Sequence, residues 1–87
     1  GITVIATVFA GRTRLRGIYF VNAGTAGTLD FQNGGTGTSP TLLKFATSGG
    51  ANTADYPDIP DEGILASDGA YLVYTTTSST GITVFFN

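Results

Sequence analysis

Apolar and polar residues alternate along most of this chain, and turn-forming residues interrupt the alternation at intervals of about 8 to 12 positions. Successive side chains of a β-strand point to opposite faces, so this period fits strands that bury one face and expose the other. We find no helical period in the 87 residues. The pattern predicts an all-β fold: residues 1–87 form a single small antiparallel β-sandwich of about seven or eight short strands, with jelly-roll or Greek-key-like connections.

Individual stretches fit strands of this sandwich. We expect strands at residues 2–9, 12–21, 28–32, 41–47, 64–67, 71–75 and 82–86. Asp68 and Gly69 predict a hairpin between the fifth and sixth of these strands, and residues 78–81 predict another between the sixth and seventh. The predicted core consists of Val4, Val8, Tyr19, Val21, Leu29, Phe31, Leu43, Phe45, Ile64, Val73, Val84 and Phe86.

The size of the domain and its terminal strands predict that the chain associates with another subunit. A domain this small buries only about 60 to 65% of its unfolded surface, and the chain has no cysteine for a stabilising disulfide. The first and last predicted strands carry no charge. Because open, uncharged edge strands promote aggregation, we expect these two strands to pair with one another or with another subunit.

The second predicted strand combines basic and apolar residues. Strict alternation places Leu15, Tyr19 and Val21 on one face, and Arg14, Arg16, Ile18 and Phe20 on the other. The apolar residues 18–21 fit the interior of the sandwich, whereas residues 12–16 fit its rim or a contact with a neighbouring subunit.

Three of the four basic residues, Arg12, Arg14 and Arg16, lie in this strand and allow three interpretations. They form a solvated rim, they pair with carboxylates across a subunit or capsid interface, or they contact nucleic acid. We favour the interface, because a planar guanidinium binds carboxylates bidentately and tolerates partial burial. The expected partners are the carboxylates of a second subunit, in the acidic segment at residues 55–62.

That segment contains four carboxylates and two prolines. Proline fixes φ and removes a backbone donor, so we expect the segment to be extended and to lie at an edge. Oxygen ligands at this spacing suit calcium, but the EF-hand arrangement is absent and the prolines separate the carboxylates. We therefore prefer a solvated acidic loop, or one that pairs with arginines of a neighbour. The carboxylates are Asp55, Asp58, Asp61 and Glu62.

Composition excludes several classes of function. Without cysteine or histidine, the chain cannot form thiolate sites, the usual zinc sites or a Ser-His-Asp triad. The net charge of −2 argues against a general nucleic-acid binder, and no apolar stretch has the length of a membrane span. Glycine-rich segments at residues 24–27 and 33–37 lack the features of a phosphate-binding loop and fit turns. We expect a soluble, mature polypeptide without catalytic residues, metal or cofactor.

The four tyrosines, Tyr19, Tyr56, Tyr71 and Tyr74, also have two interpretations. Together on one exposed surface they would stack on sugar rings. Tyrosines in strands more often pack in the core or across strands, and we favour that role.

Five segments together resemble a known class of protein: GRTRLRGIYF at residues 11–20, NAGTAGTL at 22–29, LLKFAT at 42–47, DIPDEGIL at 58–65 and ITVFF at 82–86. Their order is similar to that in small β-sandwich virion proteins of tailed bacteriophages, particularly phages of marine bacteria and cyanobacteria. The resemblance spans almost the whole chain, although its segments are strand and turn patterns rather than site signatures.

The resemblance implies a non-enzymatic structural protein located in the virion. We expect a capsid decoration (cement) protein that binds and stabilises the assembled head. The alternatives are a tail-fibre or tail-tip subunit and a carbohydrate-binding, host-recognition module. The expected partners are copies of the chain itself, with a trimer favoured among homo-oligomers, and phage capsid or tail proteins.

Overall fold

The computed structural model describes residues 3–22, 24, 26–47, 54–75 and 79–87, in which eight strands form two antiparallel sheets. This confirms the predicted all-β sandwich. Within the described residues, no helix is long and apolar enough to cross a membrane. The strands are β1 (Thr3–Phe9), β2 (Thr13–Asn22), β3 (Gly27–Asn33), β4 (Thr41–Thr47), β5 (Ala54–Asp55), β6 (Ile64–Ala66), β7 (Ala70–Thr75) and β8 (Ser79–Phe86).

The two sheets differ in the order of their strands. The first sheet runs β1-β7-β3-β4. In the second sheet, β2 pairs with β8 along one edge and with the short strands β5 and β6 along the other. Strand β7 faces β2, and β4 faces β6. Strands β1 and β8 therefore form one lateral side of the sandwich, and β4, β5 and β6 form the opposite side.

A β-bulge in β2 determines which of its residues enter the core. Leu15 pairs with Phe86, whereas Gly17 pairs with Phe85, so Arg16 is an extra residue without a counterpart on β8. An extra residue reverses the alternation that follows it. The inward residues are Thr13 and Leu15 before the bulge and Ile18, Phe20 and Asn22 after it.

The prediction that residues 18–21 lie inside the sandwich is confirmed for Ile18 and Phe20. The face assignment by strict alternation is wrong beyond residue 16. Tyr19, expected in the core, is 43% exposed on the outer face. Phe20, expected on the arginine face, is buried and stacks on Phe45 of the opposite sheet at a ring-centroid distance of 5.1 Å. Phe45 also stacks on Phe31 at 6.2 Å, so three aromatic rings join the two sheets.

The remaining core predictions have mixed outcomes. Leu29 and Phe31 are fully buried as expected, whereas Phe86 is 42% exposed and Val4, Val21 and Val73 lie outside the core cluster. The buried core consists of Leu15, Ile18, Phe20, Leu29, Phe31, Ala66, Ala70 and Leu72. The predicted core residues that pack against it are Val8, Leu43, Phe45, Ile64 and Val84.

Both predicted C-terminal hairpins are wrong. Strand β6 pairs with β2, and β7 pairs with β1 and β3, so the turn between them carries the chain from one sheet to the other. Gly69 of that turn has a φ of +101°, and a Cβ there would lie 2.8 Å from the carbonyl oxygen of Phe9. A turn-forming sequence indicates where the chain changes direction, but it does not indicate which sheet contains the next strand. Here the close approach of Gly69 to the end of β1 determines that the next strand lies in the first sheet.

Other predictions concern the edges and the connections. Within the described residues β1 pairs with β7, β8 pairs with β2, and β1 and β8 do not pair with one another. Pairing of either strand with another subunit stays a prediction. The proline-containing acidic segment lies at a sheet edge as predicted, with only the two residues of β5 in a strand. Residue 2 and parts of the predicted turns at 24–27 and 78–81 lie outside the described residues, as do residues 48–53, for which the sequence predicts a loop.

Candidate interaction surfaces

The three arginines lie at one end and on the outer face of the second sheet. Arg12 is exposed in the connection between β1 and β2. Arg14 is half-buried, and its backbone exchanges hydrogen bonds of 3.0 and 3.2 Å with Asn87, which extends the pairing of β2 with β8. Thr13 donates from its hydroxyl to the same Asn87 carbonyl oxygen at 2.8 Å. The start of β2 thus fixes the last residue of the chain.

Arg16, the extra residue of the bulge, contacts two distant parts of the chain. Its Nη1 donates to the backbone carbonyl oxygen of Asp61 at 2.6 Å, and its Nε donates to Oδ1 of Asn87 at 3.0 Å. The basic and acidic segments, separate in sequence, are therefore adjacent in the fold. The contact within the chain uses a backbone oxygen rather than a carboxylate, and pairing of the arginines with carboxylates of another subunit stays a prediction.

The acidic segment follows β5 along the edge of the second sheet. Asp58, Asp61 and Glu62 are exposed, and Asp55 lies within β5. A turn ends the segment, in which the amide of Gly63 donates to the carbonyl oxygen of Pro60 at 2.8 Å. Among the described residues, no group of three or more acidic side chains is placed to hold a metal ion.

The side of the sandwich formed by β4, β5 and β6 has the features by which edge strands avoid unwanted pairing. Strand β4 carries Lys44, β5 has two residues and β6 has three. The connection from β5 to β6 contains Pro57, Pro60 and exposed carboxylates. Charges, prolines and short edge strands all oppose the addition of another strand. We call this the guarded side.

The opposite side, formed by β1 and β8 and called here the open side, lacks these features. Neither strand contains a charged residue or a proline, and within the part of the chain that the structure describes each is paired along one edge only. Of the seven large apolar side chains that are exposed within the described residues, four lie on these two strands. They are Ile5, Phe9, Phe85 and Phe86.

A groove of about 450 Å³ runs between the two strands of the open side, and its surface exposes both polar and apolar atoms. Phe9 and Phe86 lie at the end of the two strands, with ring centroids 5.6 Å apart. The floor belongs to β7, which lies behind the two edge strands. The groove is lined by Ala6, Thr7, Val8, Leu72, Tyr74, Gly81, Ile82, Val84 and Phe86.

The four tyrosines do not converge on one surface. Tyr74 lines the groove, and the ring of Tyr71 lies against Gly35 in the connection between β3 and β4. Tyr19 is exposed on the outer face of the second sheet, and Tyr56 follows β5 and is 74% exposed. The tyrosines that a sugar-stacking surface would require therefore lie on separate parts of the structure.

Comparisons with known proteins were made by family model, by sequence and by structure. None of them finds a match.

The groove is the surface that sequence reasoning did not identify. The absence of charge in the first and last strands was visible, and it predicted that both would need a partner. Their positions on the same side of the sandwich depend on β7, which places β1 at the edge of the first sheet, and on β2, which places β8 at the edge of the second. Pairings between strands this distant in sequence leave no local signal.

Proposed function

We propose that this chain is a non-enzymatic structural subunit of a bacteriophage virion, a capsid decoration protein that binds the assembled head through its open side. The virion setting rests on the resemblance of the sequence segments. The mode of action rests on one observation: the sandwich guards one lateral side with charge and proline and leaves the other uncharged around a groove.

An uncharged side with two open strands suits protein binding in two ways. Edge strands offer unpaired backbone N–H and C=O groups, which another strand can satisfy by extending a sheet. The core of a protein interface is depleted in charged residues and enriched in aromatic residues. The open side has the same character, because it exposes the rings of Phe9, Phe85 and Phe86 on strands without charge. The open side thus supplies both directional hydrogen bonds and apolar surface.

Binding alone is a sufficient mechanism for a decoration protein. A protein that binds the assembled head but not its free subunits stabilises the assembly by mass action. Such a protein requires rigid contact surfaces and no reacting groups. The cross-sheet aromatic packing of Phe20, Phe31 and Phe45 holds the two sheets together in such a rigid unit.

Quantitative proteomics of purified tailed-phage particles that carry the gene, combined with immunogold labelling, tests this proposal. We expect label on the head and a copy number close to the number of head positions. A few copies at the tail would replace the head role by the tail-fibre or tail-tip role. Absence of the chain from purified particles would contradict a virion function altogether.

A matched pair of variants tests whether the open side makes the contact. Thr83→Lys places a charge at an exposed position of β8, and Thr28→Lys makes the same change at an exposed position of the internal strand β3. We expect Thr83→Lys to lose co-sedimentation with heads that lack the protein, and Thr28→Lys to retain it. Equal binding by both variants would exclude the open side.

A further inference from the structure

We propose that Asn33 is a deamidation site that the native fold keeps closed and that reacts when the turn between β6 and β7 separates from β3. Asn33 and Gly34 form the only Asn-Gly pair in the chain. Glycine after asparagine favours cyclisation, because glycine has no side chain to hinder the attack and its backbone adopts many conformations. The inference concerns a modification of the chain and does not depend on the proposed function.

The reaction needs only this pair and water. The backbone nitrogen of Gly34 attacks Cγ of Asn33 and loses its proton, and the side-chain nitrogen leaves as ammonia, which closes a succinimide ring. Water then opens the ring at one of its two carbonyl carbons. One product is aspartate, and the other is isoaspartate, in which the main chain runs through Cβ and Cγ of residue 33.

Hydrogen bonds hold both reacting groups in the native fold. The backbone amide of Gly34 donates to the carbonyl oxygen of Gly69 at 3.0 Å. Oδ1 of Asn33 accepts from the amide of Asp68 at 2.7 Å, and Nδ2 of Asn33 donates to Oγ of Ser67 at 3.0 Å. We call these three bonds the Asn33 latch. Attack on Cγ requires that the Gly34 bond breaks and that the carboxamide turns away from its two partners.

The Asn33 latch also anchors the connection between the two sheets. Residues 67–69 carry the chain from β6 in the second sheet to β7 in the first, and Asn33 ends β3, the neighbour of β7. The latch uses a side chain with both a donor and an acceptor, which asparagine supplies. Gly34 has a φ of +121°, and a Cβ there would lie 2.8 Å from Oγ of Ser39. The fold thus favours asparagine followed by glycine at this position, although the pair is reactive.

The two products differ in their effect on the latch. Aspartate at residue 33 keeps both side-chain contacts, because its carboxylate accepts from the amide of Asp68 and from the hydroxyl of Ser67. Isoaspartate adds one atom to the main chain between the amide of residue 33, which donates to the carbonyl oxygen of Pro40 at 2.8 Å, and the amide of Gly34. The added atom displaces these two amides relative to one another, so isoaspartate formed in an open molecule prevents the turn from docking again.

Peptide mapping by mass spectrometry, after incubation at mildly alkaline pH, tests whether the fold closes the site. We expect Asn33 to deamidate at least about 10-fold more slowly in the native protein than in the same protein unfolded in guanidinium chloride, because reaction in the native protein is limited to the open fraction. Deamidation that is equally fast or faster in the native protein would overturn the proposal.

Ser67 offers a matched pair of variants. Ser67→Ala removes the acceptor of Nδ2, and we expect it to raise the deamidation rate of the folded protein by about 2- to 10-fold. Ser67→Thr keeps a hydroxyl and should react at the rate of the unsubstituted protein. In guanidinium chloride both variants should react equally fast, because residue 67 is distant in sequence from the reacting pair. Equal rates for the two folded variants would show that the Asn33 latch does not control the reaction.

The isoaspartate product, separated chromatographically from the unfolded reaction mixture and returned to native buffer, tests whether the opening is irreversible. We expect this product to melt at a lower temperature than Asn33→Asp, which carries the same charge on an unaltered main chain. Equal melting temperatures would exclude a one-way effect of the modification.

Discussion

Nη1 of Arg16 donates a hydrogen bond to the backbone carbonyl oxygen of Asp61 across 2.6 Å, although the two residues are 45 positions apart. Arg16 is the extra residue of the β2 bulge, and the same guanidinium donates to Asn87 after the end of β8. One side chain therefore holds the acidic segment and the chain end against β2. An arginine that the sequence suggests for an external partner has a structural role within the subunit.

Removal of the Arg16 guanidinium should destabilise the fold modestly. Arg16→Ala loses two hydrogen bonds at an exposed position, and we expect the free energy of unfolding to fall by about 0.5–1.5 kcal/mol in urea titrations. Arg12→Ala is the control, because Arg12 is exposed in a connection, and its change should stay within about 0.5 kcal/mol. Equal effects of the two substitutions would show that the contacts of Arg16 contribute nothing measurable.

Gly63 should tolerate no side chain. Its φ is +77°, and a Cβ would lie 2.7 Å from the carbonyl oxygen of Leu15. Strain of the left-handed conformation and the backbone clash together predict that Gly63→Ala lowers the free energy of unfolding by about 2 kcal/mol or more. Gly24 has no neighbouring atom within 4 Å of such a Cβ, so Gly24→Ala should change stability by less than about 0.5 kcal/mol. Similar melting temperatures for the two variants would contradict the placement of the turn against β2.

The bulge predicts opposite sensitivities for two adjacent residues of β2. Ile18 is 2% exposed in the core, whereas Tyr19 is 43% exposed on the outer face. We expect Ile18→Ala to cost about 2–5 kcal/mol in chemical denaturation and Tyr19→Ala to cost less than about 1 kcal/mol. A larger loss of stability for Tyr19→Ala than for Ile18→Ala would contradict the bulge and indicate uninterrupted alternation along β2.

The class of fold is predictable from sequence because each strand shows its period locally. Alternation around Leu29 and Phe31 correctly identified buried residues of β3. The same reasoning failed in β2, where one extra residue exchanged the two faces. Gly17 was the available signal, because a glycine within a strand pattern often marks a bulge.

The connections and the candidate site depend on information that a local pattern lacks. Asp68 and Gly69 form the predicted turn, but the turn joins two sheets instead of two neighbours in one sheet. Likewise, the lack of charge in the first and last strands was visible, whereas the groove between them exists only after the pairing of β1 with β7 and of β8 with β2.

Amide hydrogen exchange of the protein, free and bound to heads that lack it, tests most directly whether the open side is the contact surface. We predict that the edge-facing amides of β1 and β8 exchange fast in the free protein and slowly in the head-bound protein, whereas exchange along the edge strand β4 stays fast in both. Equal exchange of β1 and β8 in the two states, or protection that appears along β4 instead, would contradict the account.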